Sequence, residues 1–473
     1  MTLPLINKNK FKQQDMKQLR IIALFILAVY GVSCTQDEGV VEQKLPQVAD
    51  YDYKIMNTWN EAFLKIERYA DGYRPGPAPR GIAYLGLAAY EACVSGMPEY
   101  KSLSGQWPGF EVPAADPNLE YNWPLVVNET YHYLLPLFFS QATQQELDKI
   151  DQTYNSNLKL LQDKSKEEVN VRSIARGRQV AEIVWNWAKT DAIGHEHYLH
   201  NTEGWDWQAH FKKDGDWKPT PPDFSLPVGG IWGQARTFSL KSDAERLCPP
   251  PLPFSEATNS ELYAEALETY SQNTPTISFE KEWVAEFWHD DFVNVTFSPA
   301  VRWVSIGMQV FEKENSNLQT AIVTIAKMGM AMNDASVAAW YSKFYYNYER
   351  PVTYIQRVID PNWQPHLYNA ITGEKGLTPP FPTYPSGHGT MGSSAAEILA
   401  SVFGYSYPMT DRSHEFRTDF AGEPRSYSSF FSMTLENAWS RVPLGVHFRM
   451  DSEAATNLGT GIGRKVNSLP WKK

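Results

Sequence analysis

The stretch "LQTAIVTIAKMGMAMNDASVAAWYSKFYYNYER", residues 318–350, constrains the fold more than any other. Its apolar residues recur at spacings of three and four and fill most faces, so it reads as a helix enclosed by other helices rather than one laid on a surface. The same spacing returns in "RGIAYLGLAAYEACV", "YNWPLVVNETYHYLLPLFF", "VNVRSIARGRQVAEIVWNWAKTD", "SELYAEALETYSQ" and "GTMGSSAAEILASVFG". Strand-like alternation is scarce. The expectation is a single all-α domain over residues 56–470, its core a helical bundle of two packed helix sets. Between the helices run long loops rich in Pro, Gly and Trp, notably "GDWKPTPPDFSLPVGGIWGQARTF" and "RLCPPPLPF". They are too long for simple turns and suited to lining a pocket.

The net charge is −11, and no basic run with interleaved aromatics occurs. This excludes a nucleic-acid partner, and any anion site must be local. At the N-terminus, "MKQLRIIALFILAVYGVSC" has a basic flank, an apolar run from Ile21 to Val32, then Ser33 and Cys34, the layout of a secretory signal. The run is too short to span a bilayer, and nowhere does the sequence offer about twenty uninterrupted apolar residues. A small residue before a cysteine resembles a lipoprotein signal with Cys34 acylated, although Gly31 stands where leucine is more usual. The expected organisation is a lipoprotein-type signal over residues 1–34 and a polar tether over 35–55 ahead of the domain. That implies an exported protein, periplasmic or held at the outer membrane or cell surface, touching membrane only through an N-terminal lipid anchor. Cys93 and Cys248 set no disulfide framework and no metal motif.

Three segments carry chemistry, the catalytic part of the domain lying in residues 320–465. In "WYSKFYYNYERP", Lys343 and Arg350 are seven apart, nearly two helical turns, so both leave one face, and Pro351 should end the helix at Arg350. Aromatic neighbours, Trp340 among them, suggest a walled site rather than a solvated stripe. In "TYPSGHGTMGSS", Pro385-Ser386-Gly387-His388 precedes a helix. Free N–H groups and the positive dipole end favour an anion there, Gly387 lets the backbone approach it, and His388 exchanges protons near pH 7. In "WSRVPLGVHFRMDSEAATNLG", His447 and Asp451 are four apart on a helix starting near His447, so the carboxylate can fix the imidazole tautomer. Arg441 can reach the same point across the turn containing Pro443 and Gly445.

Brought together, Lys343, Arg350 and Arg441 would repel by about 4 kcal/mol per pair at ~4 Å with an effective dielectric near 20. Only a bound oxyanion makes that arrangement favourable, each charge-assisted hydrogen bond contributing roughly 1.5–3 kcal/mol.

Lys343, six residues, then Arg350-Pro351; Pro385-Ser386-Gly387-His388; and Ser440-Arg441, five residues, His447, three residues, Asp451 resemble the three-part signature of type-2 phosphatidic acid phosphatases and vanadium-dependent haloperoxidases. Upstream, "RGIAYLGLAAYEA", "AEFWHDD" and "DPNWQP" extend the likeness over nearly all the chain after Trp59, closest to the bacterial haloperoxidase-related branch. The resemblance implies that Lys343, Arg350, Ser386, Gly387 and Arg441 hold the oxygens of vanadate or phosphate. His447 is then the vanadium ligand or, in a phosphatase, the nucleophile, with His388 and Asp451 completing the catalytic set. Trp340 and Phe381 resemble the aromatic pocket wall of iodide-oxidising bacterial members. The function implied is a peroxidase that oxidises iodide or bromide with hydrogen peroxide, vanadate its cofactor. The alternative is an exported acid phosphatase acting on phosphate monoesters through a phosphohistidine, with no cofactor. A non-catalytic surface binding protein on this scaffold is a third class, disfavoured by the intact signature. Two positions depart from the family pattern, Glu349 before Arg350 and Pro443 in the turn before His447.

One further cluster, His195, His197, His200 and His210 with Glu196, Glu203 and Asp206, fits no established zinc spacing and reads as a polar loop near the pocket mouth.

Overall fold

The computed structural model describes residues 45–419 and 422–473. The expected signal segment, Cys34 and the tether as far as residue 44 lie outside the described residues. The tether does not extend to residue 55: the Pro46 carbonyl accepts the Trp123 indole N–H at 2.9 Å, Val48 is fully buried, and a helix starts at Lys54. Apolar side chains in that stretch find the body of the protein and dock on it.

The principal helices are α1 (Lys54–Glu67), α2 (Pro77–Cys93), α3 (Trp123–Phe138), α4 (Gln144–Gln162), α5 (Glu167–Ala188), α6 (Glu261–Asn273), α7 (Phe279–Phe287), α8 (Arg302–Lys313), α9 (Leu318–Tyr346), α10 (Pro351–Val358), α11 (Gly387–Phe403), α12 (Phe430–Trp439) and α13 (Arg449–Asn467). Two short strands, β1 (Met409–Asp411) and β2 (Arg425–Tyr427), pair antiparallel with Met409 opposite Tyr427. Helices α2 to α5 pack together as one set, and α11, α12 and α13 as another. α9 belongs to both, lying against α2 on one side and α11 and α13 on the other. This is the all-α, two-set bundle expected.

The α2–α9 crossing explains why small residues punctuate those helices. A Cβ on Gly86 would lie 2.8 Å from the Ala326 Cα, and one on Gly329 would lie 2.8 Å from the Ala83 Cα. Backbones this close admit no side chain, and packing at that density penalises even a methyl group.

The polar residues of α9 have a different task. Asp334 accepts hydrogen bonds from Phe238 N (2.8 Å), Ser239 N (2.7 Å) and Ser239 Oγ (2.7 Å). The Ser336 hydroxyl accepts the Trp232 indole N–H at 3.0 Å, and the Ser342 hydroxyl accepts Cys248 N at 2.8 Å. A polar group in a core needs partners, and here each takes them from the segment spanning 228–248. That segment is thereby stitched along α9 up to the site. Cys93 and Cys248 are both buried free thiols, so they do not pair with each other.

Candidate active site

The expected helix through Arg350 stops instead at Tyr346. Asn347 caps it in the left-handed region (φ 49°, ψ 40°), which asparagine tolerates better than most residues. Pro351 opens α10 as its first residue, where its missing N–H costs nothing. Lys343 and Arg350 therefore meet because the chain turns back, not because they share a helix face. The Lys343 ammonium is fully buried and donates to the carbonyls of Pro382 and Thr383, both at 2.8 Å. Burial, then the Arg350 charge, push its pKa well below the ordinary lysine value. Arg350 donates from Nε to the Phe381 carbonyl (2.7 Å) and from Nη1 to the Val446 carbonyl (2.6 Å). Its Nη1 lies 3.3 Å from His447 Nε2, while its Nη2 is buried without any partner. Burial lowers Arg350 to about 9, still cationic at neutral pH.

Ser386 caps α11, so Gly387 and His388 form the helix's first turn rather than the loop before it. Gly387 packs under the aromatic wall: an added Cβ would lie 3.1 Å from the Trp340 ring and press on it. The Trp340 and Phe381 rings pack at 4.8 Å, with the Lys343 ammonium 5.2 Å and the Arg350 guanidinium 4.9 Å from the Phe381 centroid. The aromatic wall expected from sequence is in place. His388 is buried, hydrogen-bonded to the main chain of His289, and its Nε2 has no hydrogen-bond partner. Burial, then the Arg441 charge, push His388 down to about 3.

His447 sits just ahead of α13, not on it; Phe448 is the cap and Asp451 lies in the first turn. The expected contact nevertheless forms, with His447 Nδ1 at 2.8 Å from Asp451 Oδ2. The same carboxylate oxygen accepts Phe448 N (3.0 Å) and the Thr383 hydroxyl (2.5 Å). With Nδ1 protonated toward Asp451, His447 Nε2 keeps its lone pair, which meets only Arg350 Nη1 at 3.3 Å. Burial and then the charges of Arg350, Lys343 and Arg441 hold His447 well below the usual histidine range, so it is neutral. Burial raises Asp451 to about 6, against the lowering pull of the Thr383 hydroxyl and Lys343.

Arg441 follows α12 and donates from Nη2 to Asp291 Oδ2 at 2.6 Å; its Nε and Nη1 are buried with no partner. Asp291 also lies 3.9 Å from His388 Nε2. Burial raises the Asp291 carboxyl, but Arg441, His388 and His289 together bring it below its ordinary value. The three cations are thus partly offset from within, by Asp291, Asp451 and main-chain carbonyls, and a bound oxyanion is not the sole means of bringing them together. What remains uncompensated is specific: Arg350 Nη2, Arg441 Nε and Arg441 Nη1 are buried donors with nothing to donate to. Each such group costs about 1–3 kcal/mol unless an acceptor arrives.

Arg441, His447, His388, Gly387, Trp340 and Phe381 line one cavity of about 300 Å³. Asp291 and Thr383 are the working residues that sequence did not single out. Asp291 lies within "AEFWHDD", yet its contact with Arg441 spans 150 positions and no local spacing reveals it. Behind it, Asp290 (φ 31°) accepts from Arg302 and lies 2.9 Å from the His414 ring, and Arg302 also pairs with Asp411, all buried. This anchor fixes the turn that aims Asp291. Of the two departures, Glu349 does not compete for Arg350; it pairs with Arg357 at 2.6 Å and accepts the Thr353 hydroxyl. Pro443 leaves the turn intact, with Gly445 at φ 77°. Among the described residues no group of His, Cys, Asp and Glu has a metal-site arrangement. His197 is buried against Trp232, and its loop reaches the cavity through Asn201.

Residues 323–470 match the family model described as the VCPO second helical-bundle domain. The vanadium chloroperoxidase of Curvularia inaequalis is 23% identical over 175 residues, an alignment that spans 28% of this chain and 28% of that relative. A solved structure described as the first bacterial vanadium-dependent iodoperoxidase superposes with a TM-score of 0.76 at 26% identity, covering 89% of this chain and 97% of that one. A bacterial vanadium-dependent chloroperoxidase shares the fold, with a TM-score of 0.61 at 17% identity over 90% of this chain and 98% of that one. These matches bear out the resemblance seen in the sequence: a haloperoxidase-type helical-bundle domain over residues 323–470, on a fold shared with bacterial vanadium-dependent haloperoxidases.

Proposed function

We propose that the protein is a vanadium-dependent haloperoxidase that oxidises iodide or bromide with hydrogen peroxide. The observation that carries this reading is the set of buried donors without partners, Arg350 Nη2, Arg441 Nε and Arg441 Nη1, gathered around a neutral His447 whose Nε2 meets only Arg350 Nη1, at 3.3 Å. That set fits a trigonal oxyanion bonded to an imidazole. The likeness to an iodoperoxidase structure across nine-tenths of the chain supports iodide as the halide.

Vanadate held there would supply a Lewis-acidic centre at which hydrogen peroxide and halide react. Lys343, Arg350, Arg441, Ser386 and Gly387 would hold its oxygens and carry their charge. Asp451, braced by Thr383, keeps His447 in the tautomer that offers Nε2. His388, neutral and with no partner at Nε2, is placed to take a proton from incoming peroxide once a bound oxyanion offsets the Arg441 charge that holds its basicity down. Asp291 at 3.9 Å would stabilise the imidazolium that results. The export signal read from the sequence over residues 1–34 is consistent with action outside the cytoplasm, where peroxide and halide are met.

The test pairs two assays on purified protein, with and without orthovanadate: vanadium content with triiodide formation, and p-nitrophenyl phosphate hydrolysis. About one vanadium per chain with vanadate-dependent triiodide formation is expected. Hydrolysis without halide oxidation would make the protein a phosphatase instead.

A further inference from the structure

The cavity is larger than an oxyanion needs. Five heavy atoms at about 30 Å³ each, the share of a water molecule, occupy roughly 150 Å³, half of the volume of about 300 Å³. The remaining wall is apolar, made by Phe292, Leu367, Leu377, Pro380 and the Trp340–Phe381 pair. Polar side chains reach it too, Arg74, Asn201 and Asp223 among them, and one has a hydroxyl left without a partner. Thr378 lines the cavity, is only 7% exposed, and its hydroxyl has no hydrogen-bond partner. A buried hydroxyl in an apolar wall is left unpaired at a cost of about 1–3 kcal/mol, which a ligand hydroxyl removes. That apolar wall offers no solvation to a charged group, so this part of the cavity favours an uncharged guest.

We infer that this outer part of the cavity is a subsite for a small uncharged phenol, seated between the aromatic wall and Thr378 and halogenated beside the oxyanion site. The inference rests on the haloperoxidase reading. The phenol ring stacks on the aromatic pair and its hydroxyl bonds to Thr378 Oγ1. Peroxide oxidises iodide to hypoiodous acid (H₂O₂ + I⁻ + H⁺ → HOI + H₂O). Its iodine then forms a bond to a ring carbon ortho to the hydroxyl, while that carbon loses its proton (ArH + HOI → ArI + H₂O). Because the acceptor is already in the cavity, the oxidant meets it before escaping.

The probe is p-cresol. Saturation-transfer NMR on the full chain, without peroxide, should show p-cresol binding. Thr378→Val, which keeps shape but removes the hydroxyl, should weaken it about 5-fold, and Leu377→Trp, which fills the subsite, should abolish it. In turnover, p-cresol competes with phenol-4-sulfonate, whose charge keeps it out. The enzyme should iodinate p-cresol at least 5-fold more, relative to the sulfonate, than added hypoiodite does. Absence of p-cresol saturation transfer, unaltered binding in both variants, or a product ratio equal to the reagent's each overturns the subsite. Failure of vanadium uptake and triiodide formation would instead remove the haloperoxidase reading, while NMR still decides whether the phenol binds.

Discussion

The two helix sets bury arginines in opposite ways. In the N-terminal set, Arg176 donates to the carbonyls of Ala92 (3.2 Å), Pro113 (2.6 Å) and Glu91 (2.9 Å). Arg80 donates to Asp191 and to the Ala188 carbonyl (2.8 Å) and packs over the Tyr84 ring. Neither leaves a buried nitrogen without a partner. In the C-terminal set, Arg350 leaves one and Arg441 leaves two. The same residue type is structural where its donors are consumed by the fold and a recognition element where some are held back. Stability is sacrificed at the second pair so that an anion completes the shell, the trade expected of a site formed before its ligand arrives.

The sharpest break of this comparison is at the residue the arginines surround. His447→Ala should reduce vanadate-dependent triiodide formation on the order of 10³-fold or more, with the thermal midpoint nearly unchanged. Next, Arg441→Met removes two unconsumed donors and should weaken orthovanadate binding about 30- to 100-fold by equilibrium titration, because each charge-assisted bond contributes roughly 1.5–3 kcal/mol. Its counterpart, Arg176→Leu, strands three buried carbonyls and should cost about 3 kcal/mol in denaturant unfolding while leaving orthovanadate affinity unchanged. If both arginines affect stability alone, or both affect affinity alone, the distinction between the sets collapses.

Much of the C-terminal set was legible because its chemistry is local. The Pro385–His388 run and the His447-to-Asp451 spacing each sit within a few residues, and the apolar surround of α9 announces an interior helix. What sequence misplaced were helix ends. Pro351 reads equally as a stop or a start, and only Asn347 taking a left-handed conformation settles which. What it missed were partners distant in the chain. Asp291 reaches Arg441 across 150 positions, and Thr383 reaches Asp451 across 68. Each is an ordinary residue until the fold brings its partner near. The supposed need for an external anion to reconcile the three cations failed for this reason: the counter-charge came from a carboxylate that spacing could not reveal.

The smallest expected effect sharpens the N-terminal side. Glu91 is buried, accepts from Ser102 Oγ and Leu103 N, and is raised by burial from 4.5 to about 7. A folded-state value above the unfolded one means that its stability contribution is complete below 4.5 and is lost as pH rises through 7. Glu91→Gln mimics the protonated form. Its thermal midpoint should match wild type at pH 5 and exceed it by a few degrees at pH 8; a constant difference would show that Glu91 is ionised throughout.

The central claim is that His447 and the unconsumed donors of Arg350 and Arg441 define one oxyanion site. A crystal structure of the protein with orthovanadate tests it most directly. Vanadium bonded to His447 Nε2, with its oxygens within hydrogen-bonding distance of Arg350 Nη2 and Arg441 Nη1, is the result the account predicts. Vanadium bound elsewhere, or those guanidinium nitrogens still without partners while it is bound, would contradict it.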